Sequence, residues 1–261
     1  MRFHLLPIIS ILLTGALVML SGPVQADITL NVGARLSTDN NVNGSPDTPN
    51  KTNQRSDSYL SLNASAVYYT PLNTLQTSYF IGQIGAFSST YNKYENLDSS
   101  MLVGSVGLYQ QLSPTWSGQI TGRGFIRDTE QHERDSDGFG GTFELKKQLT
   151  QTLWVKGVVD YEDNVANLRS YSYTGKTLGV NLGYLPLKDT FLVFGYSHNA
   201  RDFESTAPFN TTTQTLFFEA SQRLSEHWYL SGGYAYMDND SNYAGTAYTN
   251  QVWSAGVSFS Y

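Results

Sequence analysis

The chain has 261 residues, with 16 Lys and Arg against 22 Asp and Glu, no cysteine, 18 Tyr and 23 Gly. The acidic balance excludes the basic footprint of a nucleic-acid-binding protein. The lack of cysteine excludes disulfide staples and a cysteine-linked lipid anchor.

At the N-terminus, Arg2, an apolar run from Leu5 to Leu20 and the small-residue site Val24-Gln25-Ala26 have the layout of a cleaved secretory signal. Pro7 and Gly15 break the run, which falls short of the ~20 apolar residues of a spanning helix. The expected division is a signal over residues 1 to 26 and one domain over residues 27 to 261, with fifteen basic residues left against 22 acidic ones.

The first strand follows directly. Ile28, Leu30, Val32, Ala34 and Leu36 alternate with Thr29, Asn31, Gly33, Arg35 and Ser37, the period of two that puts successive side chains on opposite faces. Next, Asp39-Asn40-Asn41-Val42-Asn43-Gly44 reproduces the opening of a calcium loop, but Asn50 occupies the place of the bidentate Glu, which argues for a turn-rich loop instead. No metal and no cofactor is expected. The strand and its Asn-rich segment also resemble the start of barrel domains attached to helical-repeat proteins that export polysaccharide or surface lipoproteins. That resemblance implies work with a periplasmic export partner, although this sequence carries no helical-repeat region.

A repeat sets the architecture. Gln111 to Trp116, Gln148 to Trp154, Leu187 to Phe191 and Arg223 to Trp228 each place turn-forming residues between aromatic shoulders, and Leu112, Leu149, Leu187 and Leu224 stand 37, 38 and 37 residues apart. Tyr69 to Leu75 is a fifth tight turn. Between them lie six longer polar segments near residues 39 to 57, 89 to 98, 129 to 138, 164 to 175, 202 to 213 and 239 to 249. The count predicts an all-β chain: a single twelve-stranded antiparallel transmembrane β-barrel with short periplasmic turns and longer extracellular loops.

A soluble sandwich would show the same alternation with its apolar face turned inward. Aromatic flanks favour the membrane. Tyr68, Tyr69, Tyr109, Trp116, Trp154, Tyr184, Phe191, Trp228 and Tyr261 lie by the tight turns, and Phe139, Tyr161, Tyr196, Tyr234 and Tyr236 toward the long loops, as two interfacial belts would.

If the apolar face meets lipid, charged strand residues belong to the lumen, because a charge on the lipid side costs ~2 to 4 kcal/mol at the midplane. The lumen candidates are Arg35, Arg123, Arg127, Glu144, Lys146, Lys156, Asp160, Glu162, Arg201, Glu219 and Arg223. Two readings stay open. Arg35, Arg123 and Arg127 could converge across the lumen on a passing carboxylate or phosphate, or salt bridges to Glu144, Asp160 or Glu219 could simply stabilise the interior. The first makes a channel for small charged or sugar-like solutes. The second makes a closed barrel whose loops bind surface polymers or a partner. A rim enzyme is a third possibility, resting on His198 among the histidines His132, His198 and His227, but Ser197 beside it points to the other face of a strand.

The chain ends on Trp253, Ala255, Val257, Phe259 and Tyr261, alternating with small polar residues. Ser254, Gly256, Phe259 and Tyr261 resemble the C-terminal signal of Gram-negative outer-membrane barrels. The resemblance implies location in the outer membrane. Its implied partners are membrane lipid, lipopolysaccharide, the barrel-assembly machinery and periplasmic chaperones.

Overall fold

A computed structural model describes residues 27–46, 53–205, 209–243 and 246–261. The expected signal segment lies outside the described residues, as does Asn50. Twelve strands follow one another: β1 (Asp27–Asp39), β2 (Asp57–Pro71), β3 (Ser78–Tyr91), β4 (Ser99–Gln111), β5 (Trp116–Thr129), β6 (Ser136–Gln148), β7 (Leu153–Ala166), β8 (Tyr173–Leu187), β9 (Thr190–Phe203), β10 (Phe209–Arg223), β11 (Trp228–Ser241) and β12 (Tyr248–Ser260). Each pairs antiparallel with its neighbours in sequence. β12 returns to pair with β1, from Asn31 opposite Ser260 to Asp39 opposite Val252, and closes the barrel. Closure leaves no edge to template aggregation.

Direction follows from exposure. Val32, Ile120 and Leu178 keep 55%, 58% and 62% of their surface exposed, whereas Ser37, Asn164 and Asn181 on the other face are buried. An apolar exterior around a polar interior is the inverse of a soluble sandwich, and it is the arrangement lipid requires.

Tight connections at residues 72 to 77, 112 to 115, 149 to 152, 188 to 189 and 224 to 227 form one rim. At the other rim the strands run further into the polar segments than their composition suggests. Asp238, Asn239 and Asp240 pair with Gln214, Thr213 and Thr212 inside β11. Three connections there share one design. Single 3₁₀ turns at Glu95–Leu97, His132–Arg134 and Arg169–Tyr171 are each followed by a residue that accepts the backbone N–H of the preceding strand's end. Asp98 accepts from Tyr91 (2.7 Å), Asp135 from Thr129 (2.6 Å) and Ser172 Oγ from Ala166 (2.9 Å). Neighbouring loops are then linked, Glu130 N–H to the Asp98 carbonyl, Asn167 to Asp135 and Glu204 to Ser172. The linkage holds these loops on the rim as a collar.

The seam is fastened near the short-turn rim. Leu30 and Tyr261 exchange both backbone bonds at 2.8 and 2.9 Å. The His227 ring sits 5.5 Å from Phe259 and 5.4 Å from Tyr261, with Nδ1 2.9 Å from the Ser260 carbonyl, to which it donates. Phe259 faces outward opposite Trp228, Ser254 and Gly256 face the lumen, and Tyr261 is exposed beyond the last strand.

One aromatic belt needs correcting. Tyr68, Trp116, Tyr184 and Trp228 face outward, but Tyr69, Tyr109, Trp154 and Phe191 take lumen positions. Trp154 is 8% exposed and stacks on Phe191 at 6.1 Å. Proximity to a turn placed these four on the girdle; strand parity places them inside.

Candidate functional site: the charged lumen

All eleven charged candidates occupy inward positions, since antiparallel partners share a face and the register links each to a known lumen residue. Seven of them pair. Arg35 Nη2 donates to Glu219 Oε1 at 2.6 Å. Arg123 donates through Nη1 and Nη2 to the two Asp160 oxygens at 2.6 and 3.0 Å, and through Nη2 to Glu162 at 2.9 Å. Lys156 Nζ donates to Glu144 at 2.7 Å.

Glycines decide how these side chains lie. Arg123 on β5 reaches Asp160 on β7 by crossing β6 at Gly140, where a Cβ would stand 2.7 Å from the guanidinium carbon and 2.7 Å from the Tyr161 carbonyl oxygen. Arg35 on β1 leaves its strand over Gly256 of β12, where a Cβ would meet Arg35 Cβ at 3.2 Å, and ends at Glu219 on β10. Both arginines therefore lie along the wall instead of projecting across the lumen. The paired side chains keep between 10% and 27% of their surface accessible, so the charges border open space inside the barrel.

Of the two readings left open, the salt bridges to Glu144, Asp160 and Glu219 form and the meeting of Arg35, Arg123 and Arg127 does not, because Arg35 and Arg123 are each held by a carboxylate within reach of their own wall. Arg223 is also reassigned. Its Nε and Nη2 donate to the Ser225 and Glu226 carbonyls at 3.0 and 3.1 Å, so it caps its own turn. Lys146 lies 4.8 Å from the Trp154 ring centre, in cation–π range.

At the long-loop end the pattern changes. Arg127 stands 5.4 Å over Phe125 and makes one long bond, 3.5 Å, to Asn164. Arg201 stands 4.7 Å over Tyr173. Among the described residues neither arginine has a salt bridge, and the Nε of each is buried without a hydrogen-bond partner. Asp39, read from sequence as a calcium-loop opening, faces the lumen here and accepts bonds from Asn41 N–H and the Asn250 amide. His198 faces outward opposite Leu178 and Gln214, away from Ser197. His132 bonds Asp135 on the rim.

No family model and no curated protein matches the sequence. Solved structures do match in shape. An outer-membrane channel from Pseudomonas putida F1 aligns over 92% of this chain and 97% of its own, with a TM-score of 0.58 and 12% identity. The chain has the fold of outer-membrane barrels. The porin NanC aligns over 89% of the chain and 99% of its own, with a TM-score of 0.53 and 12% identity. Both likenesses concern the path of the backbone.

Proposed function

We propose that the protein is a narrow, non-enzymatic outer-membrane channel for small charged or sugar-like solutes. The observation that carries this reading is the charged, accessible lumen wall. Seven charges pair with partners on the wall, Arg35 and Arg123 lie along it over glycines, and all seven keep part of their surface open, an arrangement that lines a path, whereas a plug would need them packed across it. The collar that holds the loops at the rim supports the same reading. The cleaved signal, the outer-membrane location and recognition of Ser254, Gly256, Phe259 and Tyr261 by assembly machinery belong to this proposal. Refolded protein in planar bilayers should give discrete conductance steps; a folded, heat-modifiable sample with none would overturn the reading.

A further inference from the structure

Arg127 and Arg201 are set apart from the other arginines of the lumen wall. They face the lumen two residues before the long-loop ends of β5 and β9, and between them lie Asn164 and Tyr173, which are opposite each other in the register. Tyr173 carries Arg201 on its ring and donates its hydroxyl to Glu162 at 2.7 Å. Glu162 also accepts from Arg123, so the nearest lumen carboxylate on this wall is already engaged. Asp39, across the mouth, is held by Asn41 and Asn250.

Arg127 is 9% exposed with an unpartnered Nε; Glu162 lies in Coulombic range, but among the described residues no carboxylate makes the direct contact that buried charges ordinarily require. Beside Arg201 stands an aromatic surface. Phe203 packs on Tyr173 at 5.4 Å and on Phe209 at 4.9 Å, and both phenylalanines are half-buried at the mouth.

We infer that Arg127, Arg201, Tyr173, Phe203 and Phe209 form a binding site at the outer mouth for a small organic carboxylate that carries a flat face. The guanidiniums take the carboxylate through charge-assisted bonds, and the aromatic surface takes the flat face. The chemistry is shared by aromatic acids and by sugar acids. The inference rests on the channel reading for its purpose, though not for its test.

Calorimetric titration of the folded barrel in detergent micelles, with sodium benzoate and sodium galacturonate as probes and benzamide and galactose as their neutral counterparts, decides it. At least one acid should bind, and its neutral counterpart roughly tenfold or more weakly. Arg127→Gln with Arg201→Gln should weaken that acid by a similar roughly tenfold factor, while Arg127→Lys with Arg201→Lys keeps part of it. Which acid binds better separates an aromatic from a sugar ligand. Binding of neither acid, equal binding of the neutral compounds, or unchanged binding by the glutamine variant would each overturn the site. Arg201→Gln alone, with heat-modifiable migration as the folding check, guards against a misfolded double variant. A barrel that conducts but binds neither acid loses the site and keeps the channel; one that binds without conducting does the reverse.

Discussion

The middle of the lumen and its outer mouth hold the same residue type under opposite conditions. In the middle, Arg35 and Arg123 cross neighbouring strands over glycines and end on carboxylates at 2.6 Å. At the mouth, Arg127 and Arg201 rest on aromatic rings at 5.4 and 4.7 Å with no salt bridge among the described residues. A paired arginine belongs to the wall, because removing its partner leaves an uncompensated charge behind. An unpaired one adds little to folding, and its donors remain for something else. Arginine in a barrel interior is therefore not one signal but two, separated by what lies two and three strands away.

The contrast breaks most visibly at Asp160, which accepts both Arg123 nitrogens and the Thr142 hydroxyl. Asp160→Ala should destabilise the folded barrel by about 2 to 3 kcal/mol, somewhat less than a fully buried pair because water reaches both side chains. Urea unfolding in micelles, followed by tryptophan fluorescence, measures it. A change no larger than that of an exposed residue would show that the pair is not structural. Gly140→Val comes next. Its side chain would occupy the groove in which the Arg123 guanidinium lies, costing about 1 to 3 kcal/mol of overpacking and turning the arginine into the lumen. Single-channel conductance should fall; unchanged conductance would mean the groove does not shape the path.

The inward set was legible from the sequence because a period of two needs only a count, and Arg35, Arg123, Asp160 and Glu219 all fall where parity puts them. Their pairing was not legible. Arg123 and Asp160 are 37 residues apart and Arg35 and Glu219 are 184 apart, and only the register across one intervening strand for the first pair and two for the second, together with glycines at the crossings, brings them into contact. Trp154 shows the opposite failure, since it stands two residues before Lys156, on the same face, and parity alone would have placed it inside. Arg223 was beyond parity too: it begins on the lumen face, and its reach carries it to the carbonyls of its own turn.

Smaller effects sharpen the comparison from the other side. Arg35→Ala should cost about 1 to 2 kcal/mol and leave Glu219 unpaired, shifting reversal potentials in a salt gradient toward cation preference. Arg127→Gln should also shift selectivity toward cations, yet change stability by no more than about 0.5 kcal/mol, since no carboxylate is released. Equal losses of stability in the two variants would erase the distinction between middle and mouth.

The smallest effect lies on the collar, outside the strands. Burial in its loop, with Glu95, Glu130 and Asp57 nearby, holds the Asp98 carboxyl above its ordinary value, against the opposing bond from Tyr91 N–H. A raised value in the folded state means the folded loop takes up the proton more readily than the unfolded chain. Its contribution to stability is therefore full below the ordinary aspartate range and is lost as pH rises through the folded-state value. Asp98→Asn keeps an oxygen for the Tyr91 N–H and removes the charge. Compared with the parent, the variant should lose less stability as pH rises from about 4 to about 7, read as the difference in urea midpoints. Parallel curves for the two proteins would mean that the collar tolerates the charge and that Asp98 acts there only through its hydrogen bond.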